Sequence, residues 1–230
     1  MSTTQYTAGR TAARTGAILT VFAALFTAAM AFTYSLTKPD IAAAVAETKR
    51  KLIAEVLPPD AYDNALLEDA IHLPANEKLG LDDGGTVYRA REAGSPVALI
   101  VEARAPNGYG GAIGMIVAVR TDGSLSGVRV TDHKETPGLG DYVDRKKDSN
   151  KASPWIDQFS GTSFETLPRD DWRVQKDGGR FIYRTGATIS ARAVIEAVAK
   201  TLDWTNAHRE ALFATPTGTT FKPNAGGEAK

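Results

Sequence analysis

Between Thr15 and Thr37 the chain carries no charged residue and is rich in Ala, Leu, Phe, Ile and Val. A helix rises ~1.5 Å per residue, so a stretch of this length crosses the ~30 Å hydrocarbon layer of a bilayer by itself. Arg10 and Arg14 precede the run and no acidic residue does. Because basic flanks stay on the cytoplasmic side, the expected order is a cytoplasmic N-terminus over 1–15 and a single-pass inner-membrane helix over 16–36. Everything beyond Lys38 would then be periplasmic. Ala29-Met30-Ala31 also has the small-residue form of a signal-peptide cleavage site. The apolar run continues past it through Phe32, Tyr34 and Leu36, which favours a retained anchor. Either way the remaining chain is exported.

An exported chain of this kind has few options for chemistry. It contains no cysteine, which excludes disulfides, cysteine-ligated iron–sulfur clusters, c-type haem and cysteinyl flavin. His72, His133 and His208 lie far apart and show no metal-ligand spacing. Redox activity would therefore need an organic cofactor rather than a metal. Lys+Arg and Asp+Glu both number 27, and no basic stripe interleaved with aromatics suggests a nucleic-acid partner.

Residues 40–213 read as one α+β domain behind the transmembrane helix. Pro39-Asp40 suits a helix start, and Ile41, Val45, Leu52 and Val56 recur near helical spacing up to Pro58-Pro59. Strand-like runs follow at Thr86–Arg91, Val97–Arg104, Ile113–Arg120 and Leu125–Thr131. Asp122-Gly123 between the last two predicts a hairpin. A further β-type run is expected at Arg180–Tyr183, and a last helix over Ser190–Leu202 with Val194, Ile195, Val198 and Leu202 on one face. Residues 214–230, rich in Thr, Pro, Gly and Lys, read as a flexible tail.

Two segments could carry chemistry. In Tyr183-Arg184-Thr185-Gly186-Ala187-Thr188-Ile189-Ser190, small residues expose the backbone where a strand-like run meets the last helix. Thr188 or Ser190 could cap that helix, whose unpaired N–H groups and positive dipole end favour an anion such as phosphate. An ordinary capped helix explains the same residues. The second segment is Asp132-His133-Lys134-Glu135-Thr136-Pro137-Gly138-Leu139-Gly140-Asp141. Pro137-Gly138 specifies a turn that offers backbone polar groups, a hydroxyl and the apolar Leu139 to a flat, polar-rimmed ring. His133 and Glu135 equally suit acid–base hydrolysis, and a solvated turn suits the pattern as well. From residue types alone, a membrane-tethered anion-binding module without redox activity stays open beside a flavoprotein and a hydrolase.

Taken together, HKETPGLGD at 133–141, KDGG at 176–179 and TGATISARAVIEAV at 185–198 resemble the G subunit of the Rnf electron-transport complex. They are also similar to the C subunit of the sodium-pumping NADH:quinone oxidoreductase, and VLPPDAYDN at 56–64 fits the Rnf branch of the two. The similarity runs from the anchor to about Leu212. It implies an electron-transfer subunit of a ferredoxin:NAD-type ion-translocating oxidoreductase, with no catalytic residue of its own. It further implies FMN joined by a phosphoester to Thr188, placed there from FAD by a flavin transferase. Thr185, Gly186 and Ala187 would shape the phosphate turn, and Glu135, Thr136, Gly138 and Leu139 would flank the isoalloxazine. The implied partners are the other membrane and redox subunits of the complex. One position departs from the pattern, which often carries Asp where this chain has Ile182.

Overall fold

A computed structural model describes residues 8–222. It divides into two compact units, the first ending at Lys49 and the second beginning at Arg50. Each is treated by itself.

The first unit belongs to the helix α1 (Ala8–Val56). Up to Val45 the large apolar side chains of the helix, among them Ile18, Leu19, Phe22, Leu25, Phe26 and Phe32, are all exposed. Such a surface suits lipid rather than water. The few hydroxyls are satisfied internally: those of Thr20, Thr33 and Thr37 donate to the carbonyls of Gly16, Ala29 and Thr33, each at 2.9 Å. Pro39-Asp40, expected to start a helix, lies inside one instead: α1 runs through Pro39. Proline removes one N–H bond and crowds the preceding turn. Ala42, Ala43, Ala44 and Ala46 are strong helix formers that resume the helix immediately. The helix therefore extends beyond 16–36 at both ends. Residues 1–7 of the expected cytoplasmic stretch lie outside the described chain.

The second unit is built on a five-stranded antiparallel meander in sequence order: β1 (Ala70–Leu73), β2 (Gly85–Glu92), β3 (Ser95–Ala105), β4 (Ile113–Arg120) and β5 (Leu125–Asp132). The Asp122-Gly123 hairpin forms as expected, with Gly123 at φ 82°. Strand side chains alternate between faces, and here both faces are apolar. Met115, Val117 and Val119 of β4 enter one cluster with Val194, Ile195, Val198 and Leu202 of α2 (Thr188–Ala214). Ile116 and Ala118 point the other way, to Ile53, Val56 and Leu57. Gly127 allows that approach, since a Cβ there would lie 3.0 Å from the Val56 backbone. Burial on both faces is what makes β4 almost continuously apolar in sequence.

Two expectations need correction. Arg180–Tyr183 is not a strand; it has a single bridge, Val174 to Phe181. The Ile182 N–H donates to Gln158 Oε1 at 2.9 Å, and its carbonyl accepts the Trp155 indole N–H at 2.6 Å, so no ladder can continue. The tail is not free up to Lys222, because Phe221 is buried and Thr220 bridges to His72 of the edge strand β1. The anchor is Arg89, which is 2% exposed. It pairs with Asp69 and donates to the carbonyls of Leu212, Phe213 and Thr215. A cation at the C-terminal end of α2 also complements the helix dipole. Burial alone would raise the Asp69 carboxyl, but hydrogen bonds from Arg91 and Arg89 outweigh it and hold it below the usual range. Residues 223–230 of the expected tail lie outside the described chain.

Candidate functional site

Between β5 and α2 the chain has no strand and is organised by short 3₁₀ turns around aromatic side chains. Trp155 packs edge-on against both Tyr142 and Phe159, and Phe159 lies against Phe181 with ring centroids 4.8 Å apart. This cluster fixes the path of residues 181–187. Ile182 is clamped by Trp155 and Gln158 as described. The Tyr142 hydroxyl then accepts the Arg184 N–H at 3.2 Å and donates to the Ala187 carbonyl at 3.2 Å. The Arg184 guanidinium lies 4.7 Å from the Tyr142 ring centroid and pairs with Asp148, whose side chain is fully buried. Burial alone would raise the Asp148 carboxyl. The N–H groups of Trp155 and Asn150 and the Arg184 charge prevail and hold it below the usual carboxylate range. Burial pushes the Tyr142 hydroxyl up, which keeps it protonated and able to donate.

The strap so held leaves Thr185 and Gly186 exposed, with Gly186 at φ 89°, and delivers Thr188 half-buried as the first residue of α2. The expected cap by Thr188 or Ser190 is corrected here. Ala187 occupies the N-cap position and makes no side-chain cap bond. Ser190 is turned instead toward the second segment, where its hydroxyl donates to Glu135 Oε2. The first-turn N–H groups thus receive no acceptor from the cap side chain, which is the arrangement in which a helix N-terminus binds an anion.

Next to that helix start lies a cavity of about 320 Å³, lined by Tyr109, Glu135, Thr136, Leu139, Gly140, Gly186, Ala187, Ile189 and Ser190. Glu135, Thr136, Leu139, Gly186 and Ala187 were expected at the site, and the two segments do meet there. Thr185, Gly138 and Thr188 do not line the cavity, although Thr188 sits between two residues that do. Gly138 instead holds the turn at φ 77°, its N–H donating to Asp141 Oδ1 at 2.9 Å. Tyr109, Gly140, Ile189 and Ser190 are additions. Tyr109 stands in a loop with Gly108, Gly110 and Gly111. A Cβ on Gly110 would meet the Lys134 carbonyl oxygen at 2.0 Å, so the close approach is to the protein's own backbone.

The mouth is apolar in a way the rest of the unit is not. Among the described residues from Arg50 onward, the exposed large hydrophobics are Tyr109, Leu139, Ile182 and Ile189. Three of these line the cavity. An exposed apolar patch beside polar loop groups and an uncapped helix start suits a flat aromatic ring bearing a phosphate. A hydrolytic reading fits poorly. Glu135 is buried with both oxygens accepting hydrogen bonds, and His133 Nδ1 accepts the Glu135 N–H at 3.1 Å.

These features define an FMN-binding domain, and the FMN-binding domain family model matches residues 108–203. The model of the RnfG N-terminal region matches residues 1–56. The G subunit of the ion-translocating oxidoreductase complex from Pseudoalteromonas atlantica is 40% identical over 202 residues, covering 88% of this chain and 92% of that protein. Its Pseudomonas aeruginosa counterpart is 41% identical over 205 residues, covering 89% and 94%. The Vibrio atlanticus counterpart is 38% identical over 215 residues, covering 94% and 97%. The chain belongs to this family, the G subunits of the ion-translocating oxidoreductase (Rnf) complex.

Proposed function

We propose that this protein is the FMN-carrying electron-transfer subunit of a membrane-bound ion-translocating oxidoreductase of the ferredoxin:NAD type, with FMN esterified to Thr188. The observation that carries this reading is the placement of Thr188 at the uncapped start of α2, between the cavity-lining Ala187 and Ile189. A phosphate on the Thr188 Oγ would lie at the positive end of the helix. The ring would reach the cavity walls, where Leu139 and Ile189 supply apolar contact and Thr136 a hydroxyl. FMN, when bound, accepts and releases electrons, and the chain positions it and sets its surroundings.

Attachment needs no thiol or imidazole, which suits a chain without cysteine. The Thr188 oxygen would take the FMN phosphoryl group from FAD as AMP leaves, with a flavin transferase removing the hydroxyl proton. A phosphoester also keeps the flavin from being lost in the periplasm. The orientation is read from Arg10 and Arg14, which precede the uncharged run from Thr15: N-terminus cytoplasmic, domain periplasmic, helix in the inner membrane. A single helix gives neither electrons nor ions a route across the bilayer, so the protein works with multi-span and redox subunits. Intact mass followed by peptide mapping tests the reading, with an FMN adduct expected on the peptide containing Thr188. A full-length chain without any adduct, purified from cells that express the transferase, would refute it.

A further inference from the structure

The one carboxylate in the cavity wall is Glu135, which is 4% exposed. Its Oε1 accepts the Gly110 N–H at 3.0 Å, and its Oε2 accepts the Ser190 hydroxyl. One carboxylate therefore joins the loop that carries Tyr109, its own loop before Leu139, and the first turn of α2 beside Thr188. The surroundings are cut to fit it. A Cβ on Gly108 would come 2.8 Å from Oε1, and one on Gly140 would come 2.4 Å from Oε2 and 2.6 Å from the Ser190 Oγ. Gly140 has no room for a side chain while Glu135 keeps its place, and at Gly108 the Gly111 carbonyl oxygen, 2.3 Å from a Cβ, excludes one as well.

Glu135 thus uses both of its carboxyl oxygens as acceptors. Both donors are neutral, and among the described residues no Lys, Arg or His pairs with it. Through Ser190 it sits beside the positive end of α2. We propose that Glu135 is the positioning residue that locks the three walls of the cavity, and that its charge lowers the reduction potential of the flavin held there. This rests on the FMN reading above. The direction follows from electrostatics: a fixed negative charge at a low-dielectric wall opposes electron density added to the ring. Ser190, committed to Glu135, is thereby removed as a rival acceptor for the phosphate.

Full-length protein in detergent tests both parts. The lock is read without flavin, as amide hydrogen exchange in a Thr188→Ala background. Adding Glu135→Ala should speed exchange at Gly110 by roughly tenfold or more, since a hydrogen bond to a charged group is lost. Glu135→Gln, which can still accept from Gly110 and bond to Ser190, should leave that amide protected. The charge is read in protein carrying covalent flavin, where Glu135→Gln should shift the midpoint potential upward while peptide mapping still finds the adduct on Thr188. Unchanged Gly110 exchange in Glu135→Ala would overturn the lock, and an unchanged potential in flavin-loaded Glu135→Gln would overturn the charge. A wild-type chain without flavin would defeat the FMN reading and the charge role together, while the exchange comparison would still decide the lock.

Discussion

Asp148 and Arg184, 36 residues apart in the chain, meet beside the aromatic cluster as an ion pair in which the carboxylate is fully buried and the guanidinium is 38% exposed. The pair ties the turn after Tyr142 to the strap that ends at Thr188. Asp148 also accepts the Trp155 N–H at 2.7 Å and the Asn150 N–H at 2.8 Å, so it organises the segment that packs beneath the strap. The exposed motif thus depends on residues outside it.

Asp148→Asn should therefore destabilise the domain by about 2–3 kcal/mol. That is below the ~3–5 kcal/mol of a fully buried pair because Arg184 is partly screened by solvent. The effect should depend on pH. The Asp148 carboxyl is held below its usual range in the folded protein. Its contribution is complete above the unfolded value of ~3.9 and is lost as pH falls through the depressed folded value. Urea denaturation of wild type and Asp148→Asn should show a constant gap from pH 7 to about 5 that closes at lower pH. A gap that persists unchanged at pH 3 would show that the charge of Asp148 is not what stabilises the strap.

The two glycines of the ring loop should respond differently to substitution. Gly138 has φ 77° and nothing within 4 Å of a built Cβ. Gly138→Ala then costs only the left-handed backbone, about 1–2 kcal/mol, and Gly138→Val somewhat more. Gly140 is crowded by Glu135 and Ser190, so Gly140→Ala should displace those side chains. The flavin absorption spectrum should shift modestly in Gly138→Val and more strongly in Gly140→Ala, with the phosphoester intact in both. A Gly140→Ala protein with the wild-type spectrum would mean that this wall does not touch the ring environment.

What sequence could reveal followed physical range. The strands β2 to β5 were legible because alternation and the Asp122-Gly123 turn are local signals. The edge strand β1 was not, since Ala70–Leu73 is short and is stabilised by partners as distant as Thr220. At the site, both motifs and five of the cavity residues could be read. Tyr109 could not, because only the fold carries its loop to Glu135. The capping role expected of Thr188 was wrong by one residue, since Ala187 takes the cap position and Thr188 begins the helix. The tail was misjudged because its composition is polar while its anchors, Arg89 and the pocket for Phe221, lie elsewhere in the chain.

Topology gives a separate test. The charge asymmetry around the uncharged run from Thr15 to Thr37 predicts that a reporter fused after Lys230 works only when exported, as an alkaline phosphatase does, and fails as a cytoplasmic one. Moving Arg10 and Arg14 to the other end of the uncharged run should weaken that bias. Activity of the cytoplasmic reporter alone in the unaltered chain would reverse the proposed orientation.

The sharpest prediction concerns which hydroxyl carries the flavin. Thr185 and Thr188 flank Gly186-Ala187, and Ser190 follows one position beyond Ile189. Ser190 is bound to Glu135. Thr185 is exposed on the strap, one turn short of the helix, and gains little from the helix dipole. Thr188 is the first helical residue, and it sits between Ala187 and Ile189 at the cavity. A phosphate on its Oγ would lie closest to the unpaired N–H groups. Because Thr188 makes no cap bond that its loss would break, Thr188→Ala should change stability by no more than ~0.5 kcal/mol while abolishing covalent flavin. Thr185→Ala and Ser190→Ala should both retain the adduct. Peptide mapping of the three variants decides the matter, and an adduct that survives Thr188→Ala would move the attachment to another residue.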